Sequence, residues 1–264
     1  MNKVFLDLGF IQIKWYSICI LIGIIVATYL ILKESQKKGI SNDLIIDILF
    51  YGIIFGIIGA RVYYVLFNLD YYSSNITEII KVWNGGLAIH GGIIAGVLFL
   101  LYYCHKNKID FLHLTDILVV GLIIAQSIGR WGNFFNGEAY GRVVSLNYLK
   151  SLHLPSFIIN GMYIDYAYRE PTFLYESVLS LIGFIVLILV RKKRNIKVGT
   201  LSGIYLIWYG IERLIIESFR SDSLMLYNIK VAQLVSIIFI LIGLLIIYKS
   251  TKNNKLYKEE KLFL

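Results

Sequence analysis

The chain has 264 residues, 58% of them hydrophobic and 16% charged, with a formal net charge of +9, two prolines and two cysteines. That balance excludes an ordinary soluble globular domain and a disulfide-stapled scaffold, and it points to an integral membrane protein. The basic residues sit in short runs between apolar stretches, so a nucleic-acid surface is not expected.

Crossing roughly 30 Å of hydrocarbon takes about 20 helical residues. In chain order the sequence offers seven such runs: Trp15 to Leu32, Leu44 to Phe67, Leu87 to Cys104, Phe111 to Gly129, Thr172 to Val190, Val198 to Ile216 and Val231 to Tyr248. They are continuous rather than alternating, which selects helices over barrel strands. The first lacks a small-x-small cleavage site and is followed by Lys33, Lys37 and Lys38, so it reads as an anchor rather than a signal peptide. Lys106 and Lys108 follow the third run, and Arg191, Lys192, Lys193, Arg194 and Lys197 follow the fifth. Lys249, Lys252, Lys255, Lys258 and Lys261 follow the last. The positive-inside rule places these regions in the cytoplasm, with the N-terminus outside and the C-terminus cytoplasmic. The expected architecture is all-α, one polytopic domain over residues 1–264, with an outward-facing loop at 130–171. Short strands are expected in that loop around "SFIIN" and "MYIDY". Tyr71, Tyr72, Trp83 and Trp131 suit an interfacial aromatic belt, and Cys19 and Cys104, both within spans, are read as packing residues.

Ionisable groups at bilayer depth cost roughly 2.5–3.5 kcal/mol each on insertion scales, so each must be paired or functional. Asp47, Arg61, His90, Asp116, Glu176, Glu212 and Arg213 fall within the spans, and Arg130, Glu138, Glu217 and Arg220 stand at outward ends. Structural pairing is the simpler reading for Asp47 and Asp116. "WNGGLAIHGGIIAG", residues 83 to 96, places His90 among glycines near the outward end of a span. An imidazole there can accept a proton near neutral pH, and a structural histidine fits equally well. The Gly92 and Gly96 pair is expected to form a helix-packing groove. "GRWGNFFNGEAYG", residues 129 to 141, gathers four glycines with Arg130, Asn133, Asn136 and Glu138. The glycines predict a break in the helix, and freed N–H groups beside Arg130 and the two amides would make an anion cradle. A polar loop with turn glycines explains the same spacing equally well. In "YGIERLIIESFRSD", residues 209 to 222, helical spacing aligns Tyr209, Arg213, Glu217 and Arg220, the last expected at i, i+3 over Glu217. Paired guanidinium forks match phosphate oxygens, and a lipid phosphate is the obvious anion at that depth. No two histidines have ligand spacing, so no metal site is expected.

These motifs identify a family. "GRWGNFFNGEAYG" closely resembles the signature of prolipoprotein diacylglyceryl transferases, G-R-x-G-N-F-x-N-x-E-x-x-G. "GARVYYV" at 59 to 65, "HGG" at 90 to 92, "PTFLYE" at 171 to 176 and "YGIERLIIESFR" at 209 to 220 resemble its other blocks, in order. The resemblance implies seven spans in a bacterial cytoplasmic membrane and a site toward the outer face. It implies transfer of the diacylglyceryl group of phosphatidylglycerol to a prolipoprotein lipobox cysteine, without metal or organic cofactor. Catalytic roles are implied for His90, Arg130 and Arg213, with His90 as the candidate proton acceptor. Substrate-binding roles are implied for Tyr16, Arg130, Asn133, Glu138, Gly141, Tyr209 and Glu217, and Arg61, Asn136, Tyr175 and Arg220 are added as substrate-binding candidates of this sequence, with Glu138 and Glu217 orienting guanidiniums. Departures fall at Glu170, Phe173, Glu212 and the Ser221-Asp222-Ser223 run. Two other readings compete. An anion transporter would use arginines at broken helices, but the inverted sequence symmetry it predicts is not found. An intramembrane protease would need a Ser/His pair in a Gly-x-Ser-Gly setting or two facing catalytic aspartates; the chain has no such serine motif, and Asp47 and Asp116 have ordinary surroundings.

Overall fold

The structure, a computed structural model, describes residues 3–9, 12–220, 225–226, 229–252, 255–259 and 262–263. The Ser221-Asp222-Ser223 run and Lys261 lie outside the described residues. A hairpin, β1 (Val4–Asp7) and β2 (Gln12–Lys14), leads into α1 (Trp15–Lys37) and α2 (Asn42–Leu66). After α3 (Leu69–Ser74) and two 3-10 turns come α4 (Ile89–Asn107) and α5 (Phe111–Asn136). Next are α6 (Leu146–Ser151), α7 (Ser156–Gly161) and a hairpin of β3 (Tyr163–Ile164) and β4 (Ala167–Tyr168). Then follow α8 (Thr172–Lys192), α9 (Thr200–Phe219), the hairpin β5 (Met225–Leu226) and β6 (Ile229–Lys230), and α10 (Val231–Lys252).

Six of these helices, α1, α2, α4, α5, α8 and α10, are long and apolar enough to cross a membrane. The seventh expected span forms as the 20-residue helix α9, in which every 18-residue stretch includes Glu212, Arg213 and Glu217. The chain divides into two compact units, residues 1–31 with 115–260 and residues 32–114 with 261–264.

In the second unit, α2 and α4 cross where small residues let backbones touch. A Cβ on Gly59 would lie 2.7 Å from the Gly91 oxygen, and one on Gly92 would lie 3.2 Å from the Gly56 oxygen. The packing groove therefore uses Gly91 and Gly92 rather than the expected Gly92 and Gly96, because Gly96 meets no atom within 4 Å. Beside this crossing, Arg61 is buried and spends its guanidinium on main chain. Its Nε donates to Ile79 O at 2.8 Å, Nη1 to Gly85 O and Gly86 O at 2.7 and 3.0 Å, and Nη2 to Glu78 O at 2.5 Å.

The first unit packs α1 on α5, α8 on α9 and α9 on α10. Gly203 and Gly243 face each other across the last pair, where a Cβ on either would come within 3 Å of the other's carbonyl oxygen. The N-terminus of α9 is capped from another helix. Asp116 on α5, fully buried, accepts from Gly199 N at 2.6 Å, Ser202 N at 2.7 Å and Ser202 Oγ at 2.6 Å. This carboxylate meets the positive helix end and its unpaired donors, so the structural reading of Asp116 holds.

Residues 137–171 form a small cap. Its core is Leu149, Ile158, Ile159 and Met162 around Phe134 and Phe173, whose rings stack with centroids 4.6 Å apart. The strand expected at "SFIIN" is instead α7, which starts after Pro155 and buries Ile158 and Ile159 on that core. Six residues are too few for local pattern to decide, and the proline's φ of −56° starts a helical turn. "MYIDY" does form a hairpin, turning through Asp165 and Tyr166, both with positive φ.

Candidate active site

The glycines of "GRWGNFFNGEAYG" do not break the helix. α5 runs on to Asn136 and stops only at Gly137, where φ is +65°. A glycine costs about 1 kcal/mol against alanine in a helix, and contact repays it here. A Cβ on Gly132 would stand 2.9 Å from the Tyr16 ring, so the glycine is what lets α1 approach. The exposed backbone donors of the expected cradle are therefore hydrogen-bonded inside a helix, and the anion-binding capacity falls to side chains. Arg130 and Asn133, at i and i+3, share a face of its last turns.

Three helices converge at this end of the unit. Glu176, on the second turn of α8 and 1% exposed, receives Arg130 Nη2 from α5 at 2.5 Å on Oε2 and Arg213 Nη1 from α9 at 3.4 Å on Oε1. Arg220 Nη1 lies 4.0 Å from the same Oε1. Glu217, also buried, holds Arg213 Nη2 at 2.8 Å, as their i, i+4 spacing predicts. Three guanidiniums thus gather on Glu176 and Glu217 in a place mostly withdrawn from water. Among the described residues, Nε and Nη1 of Arg130 and Nε of Arg213 make no hydrogen bond. Those donors are what the arrangement can offer an anion.

Arg220 departs from the expected helical stacking over Glu217. α9 ends at Phe219, and Arg220 leaves it in extended conformation, φ −77° and ψ 137°, pairing with Gly141 as an antiparallel bridge. Gly141 donates its N–H to Glu170 O at 2.9 Å, and a Cβ there would come within 2.8 Å of Glu170 Cβ and 3.1 Å of Phe219 O. Its role in the structure is to let three chain segments meet.

The remaining candidates belong to this unit or to the second one. Glu138 is exposed and accepts from Asn136 Nδ2 at 3.0 Å, rather than from a guanidinium. Tyr16 lies against Gly132. Tyr209, one turn before Arg213, stacks on Tyr205 with centroids 6.2 Å apart, and the Tyr205 hydroxyl accepts from Gln126. The Tyr175 hydroxyl is 3.4 Å from that of Tyr148, which donates to Glu170 at 3.0 Å. Tyr175 also lines a cavity of about 550 Å³ walled by Leu174, Val178, Leu179 and Ile215. His90 and Arg61 belong to the second unit, where His90 opens α4, half-buried, 6.2 Å from the Tyr63 ring centroid. Glu212 is buried, one oxygen accepting from Ser180 at 2.8 Å and the other without a hydrogen bond among the described residues.

Sequence reasoning missed Glu176 as the hub. Its signal was present: a carboxylate inside an apolar run, in a chain whose nearby spans carry arginines. Among the described residues no group of three or more His, Cys, Asp or Glu could hold a metal ion.

Comparison with known proteins bears on this cluster. The family model described as "Prolipoprotein diacylglyceryl transferase" matches residues 3–249. The chain is 47% identical over 251 residues to the phosphatidylglycerol--prolipoprotein diacylglyceryl transferase of Streptococcus equi subsp. zooepidemicus (strain H70), covering 94% of this chain and 95% of that protein. It is 47% identical over 256 residues to the protein of the same name from Streptococcus pyogenes serotype M1, covering 96% and 97%.

Proposed function

The chain belongs to the prolipoprotein diacylglyceryl transferase family, and we propose that it moves the diacylglyceryl group of phosphatidylglycerol onto the lipobox cysteine thiol of bacterial prolipoproteins. The observation that carries this reading is the sharing of Glu176 by Arg130 and Arg213, which leaves guanidinium donors uncommitted where the long helices α5, α8 and α9 meet. In the reaction the thiol sulfur attacks the glycerol carbon that bears the phosphate. A C–S bond forms, the C–O bond to phosphate breaks, and glycerol phosphate leaves with one more negative charge than the diester carried. Arg130 and Arg213 hold the phosphodiester and stabilise that developing charge, an electrostatic term that donors fixed beforehand supply without reorganising. Glu176 and Glu217 fix the planes of the guanidiniums. Asn133, on the Arg130 face, is positioned to address headgroup oxygens, and the cavity beside Tyr175 offers apolar walls to the lipid or peptide. The thiol proton goes to His90, an assignment made from the chemistry of imidazole near neutral pH.

The same reading sets the protein in the bacterial cytoplasmic membrane with seven crossings, α9 being the seventh. The N-terminus is outside, the basic segments are cytoplasmic, and the arginine cluster is toward the outer face. The charged half of α9 is tolerated because Glu212 and Glu217 are buried and the Arg213 guanidinium is paired.

Mass spectrometry of a lipobox peptide incubated with the purified chain and phosphatidylglycerol tests the proposal. A diacylglyceryl mass gain on the cysteine, absent when the lipid is omitted, is expected. An unmodified peptide, with labelled phosphate crossing vesicles that contain the protein, would favour an anion transporter instead.

A further inference from the structure

Helix α9 carries Arg213, Glu217 and, just past its end, Arg220, so the cluster depends on how that end is held. The last carbonyls of a helix have no partner within it, and together they amount to about half a negative charge. A bare helix C-terminus beside guanidiniums would oppose the anion they are there to bind. Here two of these carbonyls, and that of Arg220 just beyond the helix, accept from donors elsewhere in the chain. Phe219 O accepts from Arg142 N at 3.2 Å. Glu217 O and Arg220 O converge on Lys230 Nζ, at 2.5 and 3.1 Å. Lys230 comes from the far side of the β5–β6 hairpin, immediately before α10, and its ammonium is the cation closest in kind to what a helix C-terminus asks for.

We propose that Lys230 is a positioning residue for the anion site, pinning residues 217–220 of the α9 terminus so that Glu217 and Arg220 stay aimed at Arg213 and Glu176, and cancelling the negative helix end. Its second role rests on the transferase reading above, because it matters only if the cluster binds a phosphate. The pinning does not. Glu217 is gripped twice, by its carboxylate on Arg213 and by its carbonyl on Lys230, which ties the arginine of α9 to the residue just before the next span. Arg220, outside the helix, has its backbone held from both sides, by the Gly141 bridge and by Lys230. Sequence spacing gives no sign of this, since Lys230 is a lone lysine that reads as an ordinary flank of a span.

The test compares the full-length protein with Lys230→Met, Lys230→Arg and the exposed control Lys14→Met, all in phosphatidylglycerol-containing micelles. Hydrogen-exchange mass spectrometry reads the pinning. Lys230→Met is expected to raise exchange about tenfold at the amides of residues 217–220 and to leave the first two turns of α9 unchanged, as local opening does. Lys230→Arg, which can reach both carbonyls, is expected to stay near wild type, as is Lys14→Met. Initial rates on a lipobox peptide read the charge. Lys230→Met is expected to raise KM for phosphatidylglycerol about tenfold with kcat within twofold, the signature of lost uniform binding. A loss of folded enzyme would instead lower kcat at unchanged KM, and that result overturns the proposal. Unchanged exchange at residues 217–220 in Lys230→Met also overturns it. If wild type transfers no lipid, the transferase reading fails, and the exchange measurement still decides the pinning.

Discussion

Arg61 and Arg130 are buried or nearly so, each within an apolar helix and each within a conspicuous block of sequence, yet they do opposite things. Arg61 donates from all three guanidinium nitrogens to the carbonyls of residues 78–86, and it fastens a loop. Arg130 and Arg213 share one carboxylate and keep donors in reserve. The residue type is the same; the partner decides the role. Carbonyls satisfy a guanidinium without cancelling its charge, and they exhaust its donors. A shared carboxylate holds the planes of two guanidiniums and leaves part of each for a ligand. Burial of an arginine in a membrane span is therefore a weak sign of function until its acceptors are known.

The sharpest way to break this contrast is to remove the charge of the shared acceptor. Glu176→Gln keeps the shape of a side chain that is 1% exposed but removes the negative charge that Arg130 and Arg213 share. Breaking a buried pair in this way costs about 3–5 kcal/mol, and the cost is expected in both thermal unfolding and transfer rate. Unaltered stability and turnover in Glu176→Gln would mean that the carboxylate is not what holds the arginines.

Lysine substitutions separate the two kinds of arginine. Arg130→Lys and Arg213→Lys keep charge and lose the planar fork, and each is expected to lower kcat/KM by about 10²–10³, or roughly 2.7–4 kcal/mol, with folded yield close to wild type. Arg61→Lys has three donors where about four carbonyls wait, so it is expected to destabilise the protein by about 1–3 kcal/mol. Its activity should fall only in step with the folded fraction. The measurements are the thermal midpoint and the rate per folded molecule. An Arg61→Lys enzyme that is fully folded and inactive would move Arg61 into the substrate site, as the sequence candidates had it.

How much of this could be read beforehand follows from how local each feature is. The apolar runs set the six membrane-length helices, and the Arg213–Glu217 pair needed only the helical period. Glu176 as the common acceptor depends on α8 laying its second turn between α5 and α9, which no spacing within α8 expresses. Arg220 was misplaced because the helix stops one residue earlier, at Phe219, under a clamp from Gly141 and Lys230. α7 was misread because six residues carry too little period to choose between strand and helix. The continuity of α5 was hidden for the same reason as the hub, since the contact that rewards Gly132 comes from Tyr16, over a hundred positions away in sequence.

That last point gives the smallest effect and a test in which the sign is the answer. If the signature glycines served to break α5, alanine at either position would restore helix propensity and stabilise an unwanted continuous helix, with the same sign at both. The contacts predict opposite signs. A Cβ on Gly129 would meet only Ile20 Cδ1 at 3.6 Å, an ordinary contact, so Gly129→Ala gains propensity and is expected to stabilise by about 0.5–1 kcal/mol. A Cβ on Gly132 would lie 2.9 Å from Tyr16 Cδ2 and 3.4 Å from its Cα, so the ring and the backbone of α1 must both give way. Overpacking of that kind costs about 1–3 kcal/mol, which outweighs the propensity gain, and Gly132→Ala is expected to lower the thermal midpoint. Because Arg130 lies between the two glycines on the same helix, the separation of α1 from α5 at Gly132 also sets where that guanidinium reaches Glu176. Gly132→Ala should then lose more activity than stability alone accounts for, while Gly129→Ala should keep its rate per folded molecule.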